Sequence, residues 1–189
     1  MTRQPRIDIA DRYYHYINRA NARLKINFVE KDFALFMNVL SDAQEMFDTD
    51  IVAYVVMNNH FHIVIKTRYD KELSHFMKWL TVVHTQRCHK DNNTTGTGHL
   101  YQGRFKSFLI KDQKHLETVI RYVERNPLTA GFVDNVLDWK YSSLHQRYIM
   151  NSYNSKNIAN IRLYDWPCED PACYLDNLIK PFSNKEMEI

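Results

Sequence analysis

The chain reads as an α+β fold: an antiparallel β-sheet with helices mainly on one face, in the split βαβ (ferredoxin-like) arrangement. Three observations lead there. Strand-type and helix-type patterns alternate in the order β-α-β-β-α-β-α. The two middle strands are separated only by Asn58-Asn59, a loop of hairpin length. Each helical stretch carries an apolar stripe, so each has one side to bury. Helices on one face would leave the other face of the central strands free.

Residues 12–19, Arg-Tyr-Tyr-His-Tyr-Ile-Asn-Arg, are rich in aromatic and β-preferring types and predict a first strand. A basic, polar turn follows, with Arg19, Asn21, Arg23 and Lys25. Over 31–47, Phe33, Phe36, Met37, Leu40, Ala43, Met46 and Phe47 recur at spacings of three and four, which predicts an amphipathic helix closed by Asp48 to Asp50. Ile51 to Met57 is a nearly continuous apolar run, as in a strand covered on both faces. Asn58-Asn59 suits a tight turn because Asn tolerates positive φ, and His60 to Lys66 is then the antiparallel partner. A second helix spans 71–90, with Leu73, Phe76, Met77, Leu80, Val83 and His84 on one side. A polar loop over 91–98 follows, and three of the four glycines (Gly96, Gly98, Gly103) fall within eight residues of one another, where backbone must turn or approach something closely. Tyr101 to Ile110 resumes strand character. Asp112 is an N-cap candidate for a third helix over 113–125, which Asn126-Pro127 should end. Residues 139–150 predict a short final helix entered through Ser142. Beyond Asn151 no clear period remains. Residues 1–150 are therefore expected to form one domain, and 151–189 a separate tail.

Composition narrows the class. The chain has 189 residues, 44% of them hydrophobic, which suits a globular domain with a real core. A net charge of +3 does not by itself announce nucleic-acid binding. Basic residues nevertheless gather over 87–125, whereas 165–176 is acidic. Three cysteines (Cys88, Cys168, Cys173) without a CxxC pair point to free thiols in a reducing compartment. The first residues lack an apolar signal core, and no apolar run reaches the roughly 18 residues of a membrane span. The cytoplasm is the expected location.

His60 and His62 carry the first chemical signal. Side chains at i and i+2 of a strand share a face, about 7 Å apart at Cα. Two imidazoles so placed can close on one divalent cation, although an isolated His-x-His is more often two polar residues on a solvated face. The third helix carries the second signal. With Leu116 at zero on a helical wheel, its stripe Leu116, Val119, Ile120 and Val123 centres near about 350°. Tyr122, His115 and Asn126 share the flank at about 240–280°. A phenol titrates near about 10 and is a poor nucleophile alone. A cation held by two imidazoles and an oxygen ligand would polarise a phosphodiester and let the tyrosine attack phosphorus in line. Asn126 could supply the oxygen, and Mg²⁺ or Mn²⁺ suits such a donor set. Arg104, Lys106 and Lys111, interleaved with Tyr101, Phe105 and Phe108, suit a surface that tracks phosphates and stacks bases.

These segments also resemble a known family. Ala53 to His62, ending Met57-Asn58-Asn59-His60-Phe61-His62, resembles the His-hydrophobic-His (HUH) motif of single-tyrosine, IS200-like transposases. Leu100 to Ser107 is similar to that family's second block, Arg121 to Gly131 to its tyrosine helix, and Trp139 to Ser143 to its closing signature. Tyr16 to Phe28 is similar to its opening strand and turn. The likeness runs in order over about 12–148 and is nearest to the REP-associated tyrosine transposases. It implies an HUH-type endonuclease and strand transferase. Such an enzyme cuts and rejoins single-stranded DNA at hairpins, of REP-like or inverted-repeat sequence, through a 5′-phosphotyrosine. By position, Tyr122 becomes the nucleophile, His60 and His62 metal ligands, and Asn126 a third ligand. Arg19, Arg23, Arg104, Lys106, Lys111, Arg121 and Arg125 become candidate DNA contacts. Asn58 stands where the family has proline. Thr129 stands where it has arginine, which removes one phosphate contact. The REP-associated branch implies a monomer, whereas sister enzymes build composite sites from two subunits.

Two other classes compete. A domesticated binder of structured DNA or RNA would use Arg104, Lys106, Lys111, Arg121 and Arg125 without turnover, and its affinity would fall steeply with salt but ignore EDTA. A metal-dependent phosphoesterase using water would turn over without a protein–DNA adduct. The absence of a carboxylate-rich two-metal site disfavours it.

Overall fold

The computed structural model describes residues 8–21, 29–150, 161–164 and 171–180. Its elements are β1 (Tyr13–Arg19), α1 (Glu30–Phe47), β2 (Asp50–Val56), β3 (His60–Lys66), α2 (Glu72–Asp91), β4 (Lys106–Leu109), α3 (Gln113–Thr129), a short α4 (Ser143–His145) continued by a π-helical turn over Gln146–Met150, and α5 (Pro171–Ile179). The expected β-α-β-β-α-β-α order is present. The sheet is antiparallel and four-stranded, in the order β2-β3-β1-β4. The first strand in sequence thus lies inside the sheet, between the histidine strand and β4.

Alternation along the strands divides the core in two. Tyr14, Tyr16, Phe61, Ile63 and Ile65 face α1 and α2, where Phe36, Met37, Leu40, Phe76 and Leu80 meet them. Val52, Ala53, Val55 and Val64 face the other way, against Leu116, Val119, Ile120 and Val123 of α3. A register shift between Ile51 and Ala53 marks a bulge in β2. It sets Val52 and Ala53 on the same side, so Ile51 joins Tyr54 and Val56 in the first core. Two helices cover one face. The opposite, histidine-bearing face is not left open, because α3 crosses it.

The chain departs from the sequence expectations at five places. Met46 is 59% exposed rather than part of the α1 stripe. The strand expected over 101–110 shrinks to Lys106–Leu109, with Tyr101 making only an isolated bridge to Ala20; positive φ at Gly96 and Gly98 turns the preceding loop. The Asn58-Asn59 turn uses no left-handed residue, since neither Asn has positive φ. Pro127 lies inside α3 rather than beyond it. A proline so near a helix end removes only one hydrogen bond, and Pro127 is buried. Finally, α5 occupies a stretch that shows no clear period. The expected linker over 151–160 and Cys168 lie outside the described residues.

The chain after α3 returns to the sheet. Trp139 Nε1 donates to Val56 O at 2.9 Å, Val56 N to Tyr141 O at 2.9 Å, and Tyr164 N to Ile51 O at 2.8 Å. Ser142 caps α4 by accepting from His145 N. Glu124 of α3, fully buried, gathers these pieces. It accepts from Ser143 Oγ at 2.6 Å and from the Tyr174 hydroxyl of α5 at 2.5 Å, with Arg147 Nη1 3.7 Å away. Among the described residues no helix is long and apolar enough to cross a membrane.

Candidate active site

The site assembles on the face shared by β1, β3 and α3. Asp112 starts α3 as expected, its side chain accepting from His115 N at 2.8 Å. Leu116, Val119, Ile120 and Val123 then dock the helix on β2 and Val64. With that stripe buried, the Tyr122–Asn126 flank is rotated toward the start of β3. β3 is held on both sides, by β2 and β1, so His60 and His62 cannot slip in register without exchanging faces with Phe61 and Ile63.

The four residues expected to act together are adjacent. The His60 and His62 rings lie 5.1 Å apart, nearly perpendicular. The Tyr122 ring stands edge-on to His62 at 5.5 Å. Asn126, one turn further along α3, lies close enough to His60 to act on its ring. His60 Nδ1 also lies 2.7 Å from Asn59 Oδ1. His62 is 2% exposed, and His60 is only partly covered, so the pair runs from interior to surface.

A fifth residue joins them. His15 Nε2 lies 2.9 Å from His62 Nδ1, and the two rings stack at 5.1 Å. His15 also meets Tyr122 edge-on at 6.0 Å and Phe108 at 6.1 Å. The alternation in Tyr13-His15-Ile17-Arg19 signals that His15 and Arg19 share a face. Placing them against His62 required the strand order, which the sequence does not display.

Burial governs the charges. Desolvation lowers the pKa of His62 well below the usual histidine value, with His15 and His60 adding to the effect. His60 is lowered too, by desolvation, against the opposing influence of the Asn126 amide and with help from Arg19. His15 is pushed down to about 4, again by burial and then by His115. All three imidazoles are therefore neutral at pH 7, the form that ligates a metal.

The donor set fits a divalent cation with open positions. Among the described residues no three His, Cys, Asp or Glu side chains converge on one point. Any cation here would rest on two imidazoles plus the Asn126 amide, leaving coordination for water or phosphate oxygen.

The expected DNA contacts divide. Arg19 lies directly opposite His60 in the β1–β3 register, and Lys106 opposite Ile17 on the same face. Phe108, 48% exposed, follows Lys106 beyond His15. Lys111 is exposed at the start of α3, its N–H donating to His115 Nδ1. Arg104 instead lines a groove of about 770 Å³ beside Lys78, Thr81 and Thr85 of α2, on the other side of the sheet. Arg121 donates to Asn177 O and Lys180 O at 2.7 Å each, and Arg125 also donates to Lys180 O. These two guanidiniums thus cap the carbonyl end of α5. Arg23 lies outside the described residues.

The family model of IS200-like transposases matches residues 8–126. A Haemophilus influenzae protein assigned as a REP-associated tyrosine transposase is 25% identical over 119 residues, 59% of this chain and 68% of that one. Among solved structures, a REP-associated tyrosine transposase bound to a REP hairpin superposes with a TM-score of 0.67 at 20% identity, covering 88% of this chain and 96% of that chain. The tRNA(His) guanylyltransferase of Saccharomyces cerevisiae reaches a TM-score of 0.52 at 11% identity, over 98% of this chain and 79% of that chain. Likeness at such identities concerns the fold, which hosts more than one chemistry.

Proposed function

Because the chain belongs to the IS200-like transposase family, we propose that it cuts and rejoins single-stranded DNA carrying a hairpin, through a covalent phosphotyrosine. The observation that carries this reading is the position of the Tyr122 ring, 5.5 Å from that of His62, on the same side as His60 and Asn126. His60, His62 and Asn126 would hold a divalent cation, which would supply Lewis-acid stabilisation of the charge that builds on the phosphate in the transition state. Tyr122 supplies the nucleophilic oxygen. The bond from that oxygen to phosphorus forms as the bond to the 3′ oxygen breaks. The phenolic proton is released, and the departing 3′ oxygen ends as a hydroxyl. The 5′-phosphotyrosine keeps the phosphodiester's bond energy, so the reverse attack by a 3′-hydroxyl rejoins a strand without another energy source.

The remaining groups orient the strand. Arg19 beside His60 and Lys106 beyond Ile17 place positive charge along the approach to the site, and Phe108 offers an exposed ring on which a base can stack. A hairpin is the proposed partner because the REP-associated transposase of similar fold is bound to one. The chain is proposed to act as a monomer.

The test is incubation of wild type and Tyr122→Phe with hairpin oligonucleotides and Mn²⁺, read on a denaturing gel. Wild type should give a protein–DNA adduct that EDTA abolishes, and Tyr122→Phe none. An adduct in Tyr122→Phe would remove Tyr122 from its role, and cleavage without adduct would favour a water nucleophile.

A further inference from the structure

We propose that His15 is a positioning residue for the metal centre: it accepts the Nδ1 proton of His62 and so turns Nε2 of His62 toward the cation. The proposal rests on the reading of His60 and His62 as ligands. A ligating imidazole binds through one nitrogen and characteristically donates its other N–H to a fixed acceptor, which sets tautomer and ring orientation. His62 has such an acceptor in His15 Nε2, 2.9 Å from its Nδ1. His60 has one in Asn59 Oδ1, 2.7 Å from its own Nδ1. Both histidines therefore have Nδ1 engaged, which leaves Nε2 as the nitrogen to face one shared cation.

The sheet explains how His15 reaches. β1 and β3 pair His15 with Val64 and Ile17 with His62, so His15 is the diagonal neighbour of His62 on one face. Diagonal pairs lie within reach of a long side chain, and the stacked rings at 5.1 Å fix the contact further. The opposite hydrogen-bond direction, His15 donating, would put the His62 proton on Nε2 and close that nitrogen to a metal. His15 is not itself a ligand in this arrangement. Its Nε2 is already directed at His62, and no set of three His, Cys, Asp or Glu side chains converges among the described residues.

The experiment measures Mn²⁺ affinity, by calorimetry or by the EPR signal of free Mn²⁺, for wild type, His62→Ala, His15→Phe and His15→Gln, with circular dichroism to check folding. His62→Ala should abolish binding at the site. His15→Phe keeps ring volume but has no acceptor and should weaken binding by about 10- to 100-fold. His15→Gln restores an acceptor oxygen and should recover most of that loss. In the metal-free wild type, ¹⁵N chemical shifts should show the His62 proton on Nδ1. Wild-type affinity in His15→Phe, or a His62 proton on Nε2, overturns the proposal while leaving the ligand assignment intact. Should His15→Phe fail to fold, the His62 tautomer and the affinity of His15→Gln decide instead. Undiminished binding in His62→Ala overturns the ligand assignment itself, and with it the proposal.

Discussion

Acid should unfold this protein in part through His84, a residue outside the candidate site. His84 is fully buried on α2, its Nδ1 2.7 Å from the Tyr101 hydroxyl and its ring edge-on to Phe36 at 5.0 Å. Desolvation pushes its pKa down from 6.5 to about 4, against a weaker pull upward from Asp32. Above pH 6.5 both folded and unfolded chains hold this histidine neutral, and it costs nothing. Between 6.5 and about 4 only the unfolded chain takes up the proton, so stability falls with pH across that window and levels off below it. At about 1.4 kcal/mol for each tenfold change in proton affinity, the full loss is about 3 kcal/mol, a large share of a typical domain's stability. His84→Gln keeps an acceptor for Tyr101 but cannot titrate. Denaturant unfolding at intervals from pH 7.5 to 4.5 should show the wild type losing about 2–3 kcal/mol more than the variant. Carboxylates titrate alike in both chains and cancel in that difference. Parallel pH profiles for the two proteins would refute the reasoning.

Four further substitutions probe contacts elsewhere in the fold. Ser143→Ala removes the donor to Glu124 and an acceptor for Tyr54 N, and should cost about 1–3 kcal/mol in denaturant titrations. Lys106→Ala should lower the slope of log affinity against log salt for hairpin DNA by about one, whereas Arg121→Ala should leave that slope unchanged and increase amide exchange in α5, because its guanidinium holds α5 carbonyls. Asp112→Ala should cost about 1 kcal/mol by uncapping α3, read as a lower melting temperature.

Much of this architecture was legible because local pattern and global fold agree. The stripes of α1, α2 and α3, the two middle strands and the caps at Asp112 and Ser142 each follow from spacing alone. So does the Tyr122–Asn126 flank, because a helix whose stripe is buried has no freedom about its axis. What escaped depends on partners distant in sequence. His15 looked like one more aromatic-strand residue until β1 was placed between β3 and β4. The sequence marks Arg121 and Arg125 as basic residues suited to phosphate, but not the carbonyls at the end of α5 to which they donate. α5 itself is short, and Tyr174 reaches Glu124 across fifty positions of chain. Pro127 misled because the restriction that proline imposes on its neighbour is a preference, which burial of its ring in the last turn outweighs.

The segments that lie along β2 have a consequence for solubility. β2 is an outer strand of the sheet, and every residue from Ile51 to Val56 is buried. An apolar strand of that kind with a free edge is a template for pairing with other chains. Tyr141 covers Val56, and the Ser142 bridge covers Val55. Leu163 and Tyr164 cover Ile51 at the other end. The opposite edge, β4, is only four residues long and begins with Lys106, features that discourage intermolecular pairing. Shortening the chain at Asn151 would strip Leu163 and Tyr164 from β2 and take Tyr174 from Glu124. Such a fragment should aggregate through β2, and its loss from solution would measure how strongly those later residues guard that edge.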